Sequence, residues 1–141
     1  MKLNLGIIIL ILLLSFSCKN ERNLNGNYSI CFNEEYSETY FKNDSMRVAS
    51  ESEWVRLSEW RKIELNNDTI NFETFGEWRD NRSAKINYVE DNIVQMQIIE
   101  TEEKLNLIPI KEKLNFENSI EFWNGFEKRK VSSKCNLKNE F

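Results

Sequence analysis

The sequence predicts an all-β domain: an antiparallel up-and-down meander that closes into a barrel, with a short C-terminal helix packed outside. Three observations carry this. From residue 28 to residue 107 apolar side chains recur with a period of two, the mark of a strand with one buried face. The alternating runs are short and follow one another at spacings of roughly 8–12 residues. Polar turn residues separate them, so consecutive hairpins are expected, and closing such a meander removes its exposed edges.

The runs come in order. Tyr28, Ile30 and Phe32 alternate with Ser29, Cys31 and Asn33. Met46 and Val48 follow, then Ile63 and Leu65, then Ile70 and Phe72. Ala84, Ile86 and Tyr88 make the next strand, then Val94, Met96 and Ile98, then Leu105 and Leu107. Asn66-Asn67-Asp68, Glu90-Asp91-Asn92 and Thr101-Glu102-Glu103 are the turn signals between them. The whole chain has four glycines and one proline, so Asn and Asp must take the left-handed turn positions. Residues 50–60 show no clean period and read as a loop or short lid.

The C-terminal part has two readings. Asn118 and Glu121 have capping-box spacing, with Asn in place of Ser or Thr, and Ile120, Trp123 and Phe126 recur every third residue. That pattern predicts a helix over 119–131. Asn124-Gly125 between aromatic residues is also a hairpin signal, which leaves a hairpin as the alternative.

At the N-terminus, Lys2 precedes an unbroken apolar run from Leu5 to Leu14. A membrane-spanning helix needs about 20 apolar residues, so this run reads as the core of a signal peptide. Ser15-Phe16-Ser17-Cys18 then resembles a lipobox, the processing site of bacterial lipoproteins. The resemblance implies cleavage before Cys18, a diacylglyceryl group on its thiol and an acyl group, such as palmitate, on its new amino terminus. The expected organisation is a signal peptide over 1–17, a lipidated tether over 18–26 and a single β domain over 27–141. The lipid would hold the domain to a bacterial membrane, in the first instance the outer one, on its periplasmic or outer surface.

Export places the remaining cysteines, Cys31 and Cys135, where thiol pairs oxidise, so a disulfide between them is expected. Closing a loop this long contributes ~4–5 kcal/mol in the chain-entropy account. Cys31 alternates with core residues and so faces outward, which requires the C-terminal segment to lie on the outer wall.

Composition narrows the function classes. There is no histidine, which removes the Ser-His-Asp and Cys-His schemes and the zinc sites built on His. Nineteen basic residues against 23 acidic ones give a net charge of −4, and no basic cluster suits a nucleic-acid backbone. The acid pairs Glu34-Glu35 and Glu102-Glu103 put neighbours on opposite strand faces and make no obvious catalytic dyad. No catalytic residues, no metal site and no cofactor are expected, and the chain reads as a non-enzyme.

Leu24-Asn-Gly26-Asn-Tyr28 resembles the Leu-x-Gly-x-aromatic opening of lipocalin-like barrels. Asp68-Thr-Ile-Asn-Phe72, Ala84-Lys-Ile-Asn-Tyr88, the strand from Val94, and Phe126-x-x-Arg129 ahead of a cysteine are similar to small lipocalin-like lipoproteins of Gram-negative bacteria. The resemblance spans residues 24–135 and implies a fold; fold alone assigns no ligand.

Two functions are therefore expected in parallel. In the first, a membrane-anchored lipocalin-like module binds a small apolar or amphipathic ligand. Trp54, Trp60, Arg61, Trp78 and Arg79, with Arg56 and Arg82, are the candidate lining, the indoles for apolar surface and the guanidinium groups for a carboxylate or phosphate. The bland reading of the same residues is Trp packed in or over the core and Arg in solvent. In the second, a filled barrel acts on another envelope protein, as an immunity-type inhibitor or a complex subunit. Asp44-Ser45-Met46 and Asp68-Thr69-Ile70 also have the Asp-Ser/Thr-apolar form of bacterial periplasmic O-glycosylation acceptors, a pattern that turn-to-strand junctions generate by themselves.

Overall fold

A computed structural model of the chain describes residues 24–53, 55–76, 79–89 and 92–135. The leader, Cys18, Trp54 and Trp78 lie outside the described residues. Among the described residues, nine antiparallel strands form one sheet: β1 (Gly26–Phe32), β2 (Glu35–Lys42), β3 (Ser45–Ser50), β4 (Arg61–Lys62), β5 (Glu64–Asn66), β6 (Thr69–Glu73), β7 (Asn81–Tyr88), β8 (Val94–Ile98) and β9 (Lys104–Pro109). Their order is β4-β3-β2-β1-β9-β8-β7-β6-β5. Every neighbour is sequential except β1 and β9, which meet at Tyr28–Pro109 and Ser29–Ile108. The result is a nearly closed meander barrel.

The closure is made by one stretch of chain. Residues 61–62 pair with β3 and residues 64–66 pair with β6, with the buried Ile63 between them. Where β4 and β6 lack a ladder, Arg61 bridges the seam: Nη1 donates to the Thr74 carbonyl and lies 3.4 Å from Glu73 Oε2.

The hairpins explain how so few glycines suffice. Asn33 and Glu34, and Asn43 and Asp44, have positive φ at both centres of two-residue loops, as a primed turn requires. Asn67, Asn92 and Glu102 take the same region singly. Call the end holding the start of β1 and turns 43–44 and 67–68 the near end. The far end holds turn 33–34, the chain after β3, and the β6–β7 and β8–β9 connections.

Inside, Tyr28, Ile30, Phe41, Met46, Ile63, Ile70, Ala84, Ile86, Val94, Met96 and Leu107 form one buried cluster, closed at the near end by Leu24. Ile70, Ala84 and Leu107 have no accessible area at all. No water-sized space therefore adjoins them, and the middle of the barrel is filled by its own side chains.

The helix α1 (Ser119–Ser133) packs on the outer wall, and the hairpin alternative is replaced: Asn124 and Gly125 lie inside this helix. The Asn118 side chain accepts from the Glu121 amide at 3.1 Å, so the cap forms as the spacing implies. The reciprocal half of the box does not form; Glu121 instead accepts from Asn115 Nδ2 at 2.9 Å. Phe122 and Phe126 are the buried face, and they meet Tyr36, Tyr40, Ala49 and Cys135 in a second core.

That second core corrects the strand reading. β2 was not among the alternating runs because both its faces are covered. Thr39 and Phe41 face the barrel, while Tyr36, Glu38 and Tyr40 lie under the helix. A strand buried on both sides loses the period-two signal.

Cys31 and Cys135 are joined by a disulfide, with Cα atoms 5.5 Å apart. It fastens the end of the helix to the outward face of β1, as the alternation of that strand requires.

Candidate functional site

Two arrangements on the outer wall stand out. The first lies beneath the helix. Glu38 has no exposed area, yet each of its carboxylate oxygens has two donors. Oε1 accepts from Tyr36 Oη at 2.6 Å and from Arg129 Nε at 2.7 Å. Oε2 accepts from Tyr40 Oη and from Arg129 Nη2 at 3.0 Å. Arg129 Nη1 donates to Glu112, in the segment leading to the helix. Burial works against the charge on Arg129, but Glu38 and then Glu112 outweigh it and hold the guanidinium above its ordinary value. Burial and then the neighbouring Glu38 push both tyrosine hydroxyls well above pH 10. The Glu38 carboxylate is met by four donors and Arg129 is held from both sides, so the group fixes the helix on the wall.

The second arrangement is open. Arg47, facing outward from β3, lies with its guanidinium 5.3 Å from the Trp60 ring and 5.0 Å from the Phe116 ring. Its Nε and Nη2 both donate to the Ser58 carbonyl, at 3.0 and 2.8 Å, and burial lowers its pKa. Phe116 is held edge-on by Tyr40 and packs on Phe122, so the second core supports this platform from behind. In front is a groove of about 1080 Å³, bordered by Asn27, Lys42, Trp60, Lys113, Asn115 and Glu117. The Trp60 indole is 39 % exposed there.

Of the candidate lining residues, those that the structure describes do not converge on a barrel mouth. Trp60 is on the outer wall. Arg61 spans the β4–β6 seam, its guanidinium 4.7 Å over the Phe75 ring. Arg79 is exposed beyond β6, and Arg82 lies 3.7 Å from Asp80. Arg56 stacks on Trp123 of the helix at 4.8 Å. Trp54 and Trp78 fall outside the described residues. Glu34 and Glu102 sit in turns with positive φ. Ser45 and Thr69 open β3 and β6 directly after their turns, and the apolar residues that follow them, Met46 and Ile70, are buried in the barrel.

Glu38, Arg129, Arg47 and Phe116 carry the outer-wall chemistry, and sequence reasoning missed three of them. Arg129 stood in the Phe126-x-x-Arg129 motif without a role. The available signal for Glu38 was an acid flanked at two residues on each side by Tyr, which puts three polar-tipped side chains on one strand face.

No family model, no curated protein and no solved structure matches this chain. Among the described residues, no group of three metal-ligating side chains converges, and no helix is long and apolar enough to cross a membrane.

Proposed function

We propose that this chain is a non-enzymatic lipoprotein of the bacterial envelope, anchored by lipid on Cys18, whose barrel is a filled scaffold acting on a partner protein through its outer surface. The observation that carries the reading is the interior: Ile70, Ala84 and Leu107 without accessible area, and Val94 at 2 %. A ligand carrier needs space between such side chains, and at this level of the barrel they leave none. The outer wall supplies contact area instead. Ile120 and Val131 on α1 are 76 % and 77 % exposed, and eleven positions is close to three full turns, so they share one line of the helix. The lipocalin-like resemblance, the signal peptide and the lipobox support an envelope lipoprotein built on such a barrel.

The test is to express the full chain in a bacterium that processes lipoproteins, recover it from membranes and compare native with denatured mass. The expected result is acyl groups on Cys18 and no small molecule lost on denaturation. A small molecule lost on denaturation overturns the filled-scaffold reading in favour of a carrier, with Trp60 and Arg61 the first residues to substitute. A soluble, unacylated product overturns the anchor.

A further inference from the structure

We infer that the near end of the barrel faces the membrane, with the Trp60 groove at the lipid headgroups and the far end presented outward. The inference rests on the proposal that Cys18 carries lipid. Leu24 is 4 % exposed inside the near end, and its carbonyl accepts from Tyr28 Oη at 3.4 Å. The next residue is fixed to the same end, since Asn25 Oδ1 accepts from the Asn43 amide of turn 43–44 at 3.1 Å. The chain therefore leaves the fold beside turn 43–44.

Cys18 is six steps before Leu24. Six residues reach roughly 20–22 Å at full extension. The eight residues of β2 alone run ~26 Å along the wall. At the usual tilt of barrel strands that length is about 20 Å of height, so with the far end on the bilayer the tether would have to run fully extended along the whole wall, whereas with the near end down it has slack.

The surface beside the exit suits a headgroup layer. Gly26 and Asn27, the first residues of β1, border the same groove as Trp60, Lys42 and Lys113. Glu117 and Glu121 share this border, so it is mixed in charge, and an indole with one apolar face and a polar N–H beside long lysine side chains is a combination that settles at a lipid–water interface. Arg47 and Phe116 hold the indole in place, so it enters the interface already oriented. The occupant of this groove is the headgroup layer of the anchoring leaflet. The far end, with turn 33–34 and the chain after β3, is then the side open to a partner.

The test uses the full chain, isotope-labelled, processed by its host and placed in nanodiscs of phosphatidylethanolamine and phosphatidylglycerol that carry a gadolinium-chelating lipid. The mass of the protein is taken first. The expected result is an acylated Cys18, strong relaxation of the Asn43, Asp44 and Asn67 amides and the Trp60 indole, and unaffected amides at Asn33 and Glu102. An acylated protein with equal relaxation at both ends, or stronger relaxation at Asn33, overturns the orientation while leaving the anchor intact. Relaxed turns with a silent Trp60 indole overturn the groove assignment alone. An unacylated Cys18 overturns the anchor, and the orientation falls with it.

Discussion

Arg129 of the helix grips Glu38 of β2 with two side-by-side hydrogen bonds, 2.7 and 3.0 Å long, across 91 residues of sequence. Glu38 is fully buried and Arg129 nearly so, their side chains 0 % and 13 % exposed. This is a desolvated ion pair, and such a pair is worth less than it looks while both partners are present. Removing one partner is another matter, because the other charge stays buried.

Arg129→Leu is therefore expected to lose about 3–5 kcal/mol of unfolding free energy. The double variant Glu38→Leu with Arg129→Leu should recover a large part of that loss, since no uncompensated charge remains. Urea denaturation of the two proteins decides it. A double variant as unstable as the single one would show that the loss does not come from a buried partner left unpaired.

The tyrosines beside Glu38 set the behaviour in alkali. Tyr36 and Tyr40 have folded-state pKa values raised above 10 by burial and by Glu38, whereas in the unfolded chain they ionise near 10. Their contribution is fully present below pH 10. Above it the unfolded state gains by losing protons that the folded state keeps, so stability falls as pH rises. Each tyrosine then costs about 1.4 kcal/mol per pH unit. Unfolding free energies measured from pH 9 to pH 11.5 should drop steeply past 10. Tyr36→Phe with Tyr40→Phe should be less stable at pH 8, through the lost hydrogen bonds to a charged acceptor, yet show a shallower alkaline slope. An unchanged slope would sink the argument.

What the sequence made legible follows from one rule: a strand announces itself when only one of its faces is buried. β1, β7 and β8 have that form, and their alternation is plain in Tyr28-Ile30-Phe32, Ala84-Ile86-Tyr88 and Val94-Met96-Ile98. β2 is buried on the barrel side and again under the helix, so Tyr36, Glu38, Thr39, Tyr40 and Phe41 show no alternation to read. The outer-wall site was hidden for the same reason. Arg47, Trp60 and Phe116 come from separate segments, and what brings them together is the helix packing that buries β2. The disulfide was legible because Cys31 lies on the outward parity of a clear strand and, with Cys18 read as the lipidation site, Cys135 is the cysteine left to pair with it.

Reduction gives a third expectation. The Cys31–Cys135 bond ties the last turn of the helix to β1. Cys31→Ser with Cys135→Ser should lose up to ~4–5 kcal/mol, less to the extent that the helix docking persists in the unfolded chain. The loss should be uneven in space. Amide hydrogen exchange should speed up most in the second half of α1, where Phe126 and Arg129 hold the remaining contacts, and least in β7 and β8, which do not touch the helix core. Equal acceleration everywhere would mean that the helix and barrel open as one unit.

Gly125 supplies the last test, because it is in the middle of a helix, where glycine costs about 1 kcal/mol relative to alanine. A methyl group there would sit 2.8 Å from Arg129 Nη1. That nitrogen is the far end of a flexible side chain, but here it is not free to move. Nε and Nη2 of the same group are held by Glu38, and Nη1 itself donates to Glu112. The Asn-Gly pair is thus explained by clearance for a guanidinium, not by a turn. Gly125→Ala should fail to deliver the usual gain and should destabilise the protein. In an Arg129→Leu background the obstruction is gone, and the same substitution should stabilise by up to about 1 kcal/mol. Thermal or urea unfolding of the four proteins in this cycle measures the coupling, and additive effects would mean that the guanidinium yields to the methyl group without losing its hold on Glu38.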